Sequence, residues 1–170
     1  MALCSKTLNS LDDLFVEQLE DLYDAENRLT KALPKMAETA QNPALKEAFT
    51  RHLSETENHV KRLEQVFRSI GRDAKAKTCD AMKGLLSEGE EALDFKGDAN
   101  VRDAALIAAA QRVEHYEIAG YGTLRTFAER LGHNEAARLL DQTLQEEGAA
   151  DKKLTAIAET TINWKAAASA

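Results

Sequence analysis

The chain contains few of the residues that interrupt helices: its 170 residues include two prolines and eight glycines. Aromatic residues make up only 5%, and residues that favour strands are scarce beside alanine, leucine, glutamate, lysine and arginine. These scarcities predict an all-α fold. The length is that of one domain with a substantial core, so residues 1–170 are expected to form a single domain.

Other scarcities limit location and partners. The two cysteines, Cys4 and Cys79, lack metal-motif spacing and are expected to be free thiols in a reducing cytoplasm. The sequence has neither the apolar run of a signal peptide nor about 18 consecutive apolar residues, so we expect no membrane association. The net charge of −7 argues against nucleic-acid binding, which requires a basic face.

Four long stretches carry apolar residues at steps of three and four, the spacing of a helix's core face. They predict helices over about 10–40, 43–70, 101–131 and 135–162. Start and stop residues support these ranges. The predicted starts are Ser10 with Asp13, Asn42 with Pro43, Asn100 with Asp103, and Asn134; the predicted stops are Gly71 and Gly132.

The connection between the second and third helices is much longer than the other two. It covers residues 72–100 and contains a predicted short helix at about 79–93. An up-down-up-down bundle needs only a short loop at this place. A connection this long can return the chain along the bundle axis, as in ferritin-like bundles with one crossover. We therefore predict a ferritin-like four-helix bundle of two antiparallel hairpins.

Each long helix has a glutamate in its apolar stripe: Glu26, Glu55, Glu117 and Glu147. Each lies about 13–16 residues from the turn of its hairpin, or roughly 20–24 Å along the axis. The four carboxylates should therefore meet at one level of the core, where charge must be compensated. A shift of 91 residues places Glu26 on Glu117 but Glu55 on Glu146. Whether Glu146 or Glu147 is the ligand of the fourth helix therefore stays open.

Further donors lie one helical turn along from these glutamates. His59 and Asp151 each follow a glutamate by four residues, and Glu114 precedes one by three. The Glu-x-x-His pattern of many di-metal bundles is absent, because position 58 is Asn and position 150 is Ala. Many carboxylates with little imidazole favour iron or manganese over copper.

These observations predict two iron or manganese ions, with iron favoured. The candidate ligands are Glu26, Glu55, His59, Glu114, Glu117, Glu147 and Asp151, with Glu55 and Glu117 as bridging candidates. For His59 a direct role and a supporting role are both open. We expect His52 to be a buried hydrogen-bonding histidine and Tyr121 to be a core residue that can donate to a ligand.

The segment from Asp103 to Gly122, with Glu-His-Tyr-Glu-Ile-Ala at 114–119, resembles the YciE/YciF family of bacterial stress-associated proteins. Residues 32–37, 52–56 and 144–151 support the resemblance, which extends over nearly the whole chain. Such proteins are similar in fold to rubrerythrin and ferritin and associate as dimers, so the resemblance implies a homodimer and a role in stress. It matches the four helix glutamates to rubrerythrin-like ligands, with Glu114 as an extra one, whereas positions 58 and 150 depart from that pattern.

Two functions follow from these expectations. The leading hypothesis is a stress-associated protein whose di-metal centre reacts with dioxygen or peroxide, similar to a peroxidase or ferroxidase. Rubredoxin-type cysteine pairs are absent, so electrons would come from an external donor. The alternative is a non-catalytic dimeric protein in which buried carboxylates share protons. Iron storage in a cage is less favoured, because nothing in the sequence identifies a cage interface.

Overall fold

The computed structural model describes residues 7–168, and these residues form helices and no strand. The helices are α1 (Leu11–Thr39), α2 (Pro43–Ser69), α3 (Asp80–Asp94), α4 (Ala99–Leu131), α5 (Asn134–Ile157), a π-helical turn (Ala158–Ile162) and α6 (Asn163–Ala167). The all-α prediction is confirmed. The predicted fourth helix, 135–162, corresponds to α5 together with the π-helical turn.

The four long helices pack in a ring in the order α1, α2, α5, α4. At one end the Asp103 carboxylate of α4 accepts the N–H of Gln41, just after α1. At mid-height Tyr121 of α4 donates to Glu26 of α1, so these two helices are antiparallel. Short hairpin turns join α1 to α2 and α4 to α5, so the helices of each pair are also antiparallel. The connection from α2 to α4 therefore returns along the bundle axis, which confirms the helical bundle with one crossover.

The crossover is fastened to α1 and α4 where it enters α3. The N–H of Cys79 donates to Asp24 at 2.8 Å, and the Cys79 thiol lies 3.0 Å from the Tyr116 hydroxyl. The N–H of Lys77 donates to the carbonyl of Glu20. Cys79 is fully buried and is a free thiol, as predicted, and burial raises the pKa of this thiol. Cys4 lies outside the described residues.

Most predicted helix ends are confirmed. The Ser10 hydroxyl accepts the N–H of Asp13, and the Asn42 side chain accepts two N–H groups of the first turn of α2. Gly71 and Gly132 have φ of +70° and +77°, in the left-handed region where glycine ends helices. The N–H of Arg72 donates to the carbonyl of Phe67, so α2 ends in a Schellman motif.

The predicted start of α4 at Asn100 was wrong. The helix begins at Ala99, because the Asp98 carboxylate accepts the N–H groups of the next two helical positions. Asn134 is the first residue of α5 and His133 its N-cap, so Asn134 is not the cap. None of the described helices is both long and apolar enough to cross a membrane.

Asp103, predicted to support the start of α4, instead binds the first hairpin turn. It is 1% exposed, and its carboxylate accepts the N–H groups of Gln41 at 3.0 Å and Asn42 at 2.7 Å. These bonds attach the first hairpin turn to α4.

Nearer the middle of the bundle, a side chain at Gly120 would place its Cβ 3.0 Å from Leu22, so glycine allows α1 and α4 to approach closely near Glu26.

We expect Asp103→Ala to lower the free energy of unfolding by roughly 2–3 kcal/mol, because two N–H groups lose a charged acceptor. Urea denaturation would measure the change. Ser10→Ala, which removes an exposed cap, is the control and should lower the free energy of unfolding by about 1 kcal/mol. Equal losses in the two variants would contradict the anchoring role of Asp103.

Candidate metal centre

Six buried side chains converge in the middle of the bundle and form what we term the central cluster. They are Glu26 from α1, His52 and His59 from α2, Glu114 and Glu117 from α4, and Glu147 from α5. Each is between 0% and 6% exposed. Apolar neighbours on the same helix stripes, such as Leu22, Leu29 and Leu124, hold these polar groups away from solvent.

The central cluster divides into two groups, each with ligand atoms within 4.8 Å of one another. The first group is His52, Glu114, Glu117 and Glu147, and the second is Glu26, His59 and Glu147. Glu147 belongs to both groups. A carboxylate has two oxygens, so this residue is placed where it could contact two neighbouring ions.

The second group is the tighter of the two. The Nδ1 atom of His59 lies 2.9 Å from Glu147 Oε1 and 3.4 Å from Glu26 Oε1. The Tyr121 hydroxyl donates a short hydrogen bond to the same Glu26 oxygen. The expectation that Tyr121 donates to a candidate ligand is therefore confirmed. This bond leaves the other Glu26 oxygen for a further partner.

The first group is centred on His52. Its Nε2 atom lies 3.3 Å from Glu114 Oε1 and 3.8 Å from Glu147 Oε2. Neither ring nitrogen of His52 has a hydrogen-bond partner among the described residues. Both histidines therefore direct a nitrogen at the carboxylates, but only that of His59 lies within hydrogen-bond distance of one.

The outer nitrogen of each histidine faces a peripheral carboxylate. The Nε2 atom of His59 lies 2.8 Å from Glu146, which is also bound by both terminal nitrogens of Arg62. When the outer N–H donates to a carboxylate, the inner nitrogen keeps its lone pair for a metal. The outer atom of His52 is 3.6 Å from Glu55, too far for a hydrogen bond.

Burial disfavours ionisation of the cluster carboxyl groups. It raises the pKa of Glu26, raises that of Glu117 well above its ordinary value, and raises that of Glu114 to about 8. Repulsion between neighbouring carboxylates adds to this effect. Without a cation the protein therefore retains protons that a bound divalent ion would displace.

Burial alone would lower the pKa of the two histidines, but the facing carboxylates reverse this effect. Glu114 is the main contributor at His52, whose pKa rises to about 9. Hydrogen bonding to Glu147 is the main contributor at His59, whose pKa rises to about 11. The imidazolium groups thus partly compensate the carboxylates in the metal-free protein.

Several buried oxygens of the central cluster have no hydrogen-bond partner within residues 7–168. They include both oxygens of Glu117 and one each of Glu26, Glu114 and Glu147. Buried polar atoms in folded proteins are nearly always paired. Unpaired carboxylate oxygens beside imidazole nitrogens form a donor set that could hold a metal ion. The residues present therefore fit such an ion.

The structure brings together five of the seven predicted ligands: Glu26, His59, Glu114, Glu117 and Glu147. It places Glu147 inside the central cluster and Glu146 at its edge. Sequence reasoning did not place His52 there, although it lies two helical turns before His59 and so on the same face of α2.

Glu55 is not in the central cluster. Its side chain is 27% exposed and binds Arg51 at 2.8 Å, and its pKa is lowered to about 2 by His52 and Arg51. His52, Thr56 and His59 occupy the buried stripe of α2, and Glu55 lies about 60° to one side of His52 on the helical wheel. The structure therefore does not place Glu55, a predicted bridging ligand, among the described residues that could hold an ion.

Asp151 is also outside the central cluster. It lies on the seam between α4 and α5, where it accepts a hydrogen bond from Gln111 at 2.9 Å and lies 3.4 Å from His115. Its carboxylate is thus already engaged with α4. Asp151 follows Glu147 by four residues, which places it about 40° around α5 from Glu147, beside the buried stripe and not on it.

Comparison with known proteins identifies relatives of this chain. The family model described as "Domain of unknown function (DUF892)" matches residues 10–167. Protein YciF of Escherichia coli K12 is 48% identical over 160 residues, which cover 94% of this chain and 96% of YciF.

Solved structures agree with the fold. The crystal structure of the E. coli stress protein YciF has a TM-score of 0.88, with 92% of this chain and 99% of that chain covered. YcfI from Rhodopseudomonas palustris, described as a candidate structural protein, is 46% identical with a TM-score of 0.85. The match covers 89% of this chain and 96% of YcfI. A Xanthomonas campestris protein shares the fold with a TM-score of 0.71 at 21% identity. The match covers 91% of this chain and 94% of that protein.

The raised pKa of Glu117 predicts how the stability of the metal-free protein depends on pH. The native state keeps protons that the unfolded chain releases above its ordinary value of 4.5. Stability should therefore fall as pH rises from there through the native pKa, by about 1.4 kcal/mol per pH unit for each retained proton. Glu117→Gln should flatten this decline.

Urea midpoints of the metal-free protein at mildly acidic, neutral and alkaline pH would measure the effect. Glu57→Gln, which changes an exposed carboxylate of α2, is the matched control and should follow the wild type. Parallel curves for the wild type and Glu117→Gln would contradict this account of the buried carboxylates.

Proposed function

The chain belongs to the DUF892 family, and we propose that it is a stress-associated protein that binds two iron or manganese ions in the central cluster. The observation that carries the proposal is the pair of ligand groups that share Glu147. The stress role is supported by similarity to YciF, which is described as a stress protein. Iron is favoured, as the carboxylate-rich donor set suggests.

Each side chain has a role in this proposal. Glu147 would contribute to both metal sites, since it alone belongs to both ligand groups. His52, Glu114 and Glu117 would complete one site, and Glu26 and His59 would complete the other. Neutral imidazole is the form that binds a metal, so each histidine must lose its second proton when an ion enters.

Supporting residues orient these ligands. Tyr121 donates to Oε1 of Glu26, the oxygen that also lies 3.4 Å from His59, and so fixes this carboxylate beside the ring. Arg62 fixes Glu146, which in turn fixes the ring of His59. Such supporting hydrogen bonds set the orientation and basicity of metal ligands.

Bound iron or manganese would supply redox chemistry with dioxygen or peroxide. The protein's contribution is a buried donor set, at which the chain's own carboxylates take up or release protons as the charge changes. An external electron donor, a homodimer and a cytoplasmic location remain predictions from the sequence.

A second candidate is a non-catalytic stress or structural protein. It is supported by the description of YcfI and by the protons that the buried carboxylates can share. In this case the central cluster would be a hydrogen-bonded network with no requirement for metal.

Metal content would separate the two candidates. After loading with ferrous or manganous ions and removal of excess, we expect about two ions per chain by mass spectrometry, one for each ligand group. Glu147→Gln should lose both ions, whereas Glu26→Gln should lose one. Asp151→Asn is the control and should keep both. A wild-type protein that retains no metal would overturn the metal-binding proposal.

Chelation should also lower thermal stability, because a ligand that binds the native state stabilises it by about 2.7 kcal/mol at a hundredfold excess over Kd. At about 2–4 °C per kcal/mol for a chain of this size, we expect the melting temperature to fall by roughly 5–10 °C. Glu147→Gln should show no change with chelator. An unchanged wild-type melting temperature would favour the hydrogen-bonded network.

A further inference from the structure

A cleft of about 310 Å³ opens between α2 and α5 and reaches the central cluster. Small side chains on the facing helices, Ala48 on α2 with Ala149 and Ala150 on α5, leave this space open. His52 and Glu114 of the central cluster line it. A water molecule needs about 10–15 Å³ of such space, so the cleft can contain an ion with its hydration shell.

Charged side chains surround the cleft, three acidic and two basic: Glu47, Glu55, Glu146, Arg51 and Lys153. Glu114 at its base adds further negative charge when its carboxyl group is ionised. The whole chain has a net charge of −7, so the average field also attracts cations.

His52 is an unsatisfied group that faces this space. It is 6% exposed, and neither of its ring nitrogens has a hydrogen-bond partner among the described residues. A buried polar side chain of this kind requires a partner. The cleft is therefore the side from which a partner could arrive.

Glu55 lies beside His52 at this opening. Its hydrogen bond is to Arg51, whose side chain is 80% exposed, and an exposed pair of this kind contributes little stability. The other Glu55 oxygen is 3.6 Å from His52, so no hydrogen bond fixes it there. The carboxylate can therefore turn from Arg51 toward His52 at little energetic cost.

A cavity on the other side of His52, between α1, α3 and α4, makes a less suitable entrance. It has a volume of about 20 Å³ and is lined mainly by apolar side chains such as Leu33, Met36 and Leu86. This is room for about one water molecule, and the wall has few groups that could replace the hydration shell of a cation.

We propose that the cleft between α2 and α5 is the route by which a hydrated divalent cation enters the central cluster, with Glu55 as the carboxylate that first binds it. This inference rests on the proposed metal-binding function. Glu55 then serves as a transit ligand and not as a permanent one, in agreement with its place outside the central cluster.

The test is the rate at which the metal-free protein takes up cobalt(II), followed by the visible absorption of the bound ion. Ala150→Leu and Ala48→Leu fill the cleft from opposite walls without changing a ligand. We expect each to slow uptake by about tenfold, which corresponds to roughly 1.4 kcal/mol in the barrier. Removal by chelator should slow similarly, and the final cobalt content should be unchanged. Ala119→Leu, on an exposed face of α4, is the control.

Glu55→Gln leaves the volume unchanged and tests the transit ligand independently of packing. It should slow uptake while the final cobalt content stays at the wild-type level, whereas Glu57→Gln should change neither the rate of uptake nor the final content. Loss of cobalt at equilibrium in Glu55→Gln would make Glu55 a permanent ligand and would overturn its transit role.

Two results would overturn the route in different ways. If the wild type holds cobalt but both filled-cleft variants take it up at the wild-type rate, the route is wrong and the metal-binding function stands. If the wild type holds no cobalt at equilibrium, the proposed function fails and the route fails with it.

Discussion

Negative charge buried at the middle of the bundle is the constraint on which this structure depends. Four carboxylates from three helices lie in two close groups that share Glu147, and burial makes their ionised forms unfavourable. Two histidines supply part of the opposing charge, and retained protons or cations must supply the rest. A fold that keeps these groups together requires rigid helices and many apolar neighbours.

The features around the central cluster meet this requirement. The helix ends are capped, the crossover is attached to α1 through Asp24, and Asp103 fixes the first hairpin turn. Gly120 allows α1 and α4 to approach at the level where Tyr121 meets Glu26. Stability is thus placed in the surrounding packing, because the centre itself opposes folding when no cation is present.

Helix α2 shows how one helix can serve both the interior and the surface. His52 and His59 face the carboxylates, while Glu55 lies on the stripe beside them. The shift of 91 residues pairs Glu55 with Glu146, and both occupy comparable positions in the structure. Each is partly exposed, is bound to an arginine and lies near a cluster histidine. The correspondence between residues 91 apart is therefore visible at the periphery of the site.

Much of the architecture follows from local sequence rules. Helical periodicity, the caps at Ser10 and Asn42 and the glycine stops at Gly71 and Gly132 depend on neighbouring residues, so they can be read without the fold. The long crossover also indicated the direction of α4. The start of this helix was misplaced because the side chain that looked like a cap partner, Asp103, has its partners 61–62 residues away.

The sequence by itself determined the helices, the bundle and the common level of Glu26, Glu117 and Glu147, since these depend on rise per residue and apolar spacing. Only the tertiary structure decided which of the nearby polar residues enter the centre. A turn of about 60° separates His52 from Glu55, and a similar small rotation separates Glu147 from Asp151. Such differences are within the width of a helix's apolar stripe. Packing against the neighbouring helices therefore determines which of these polar side chains is buried in the central cluster.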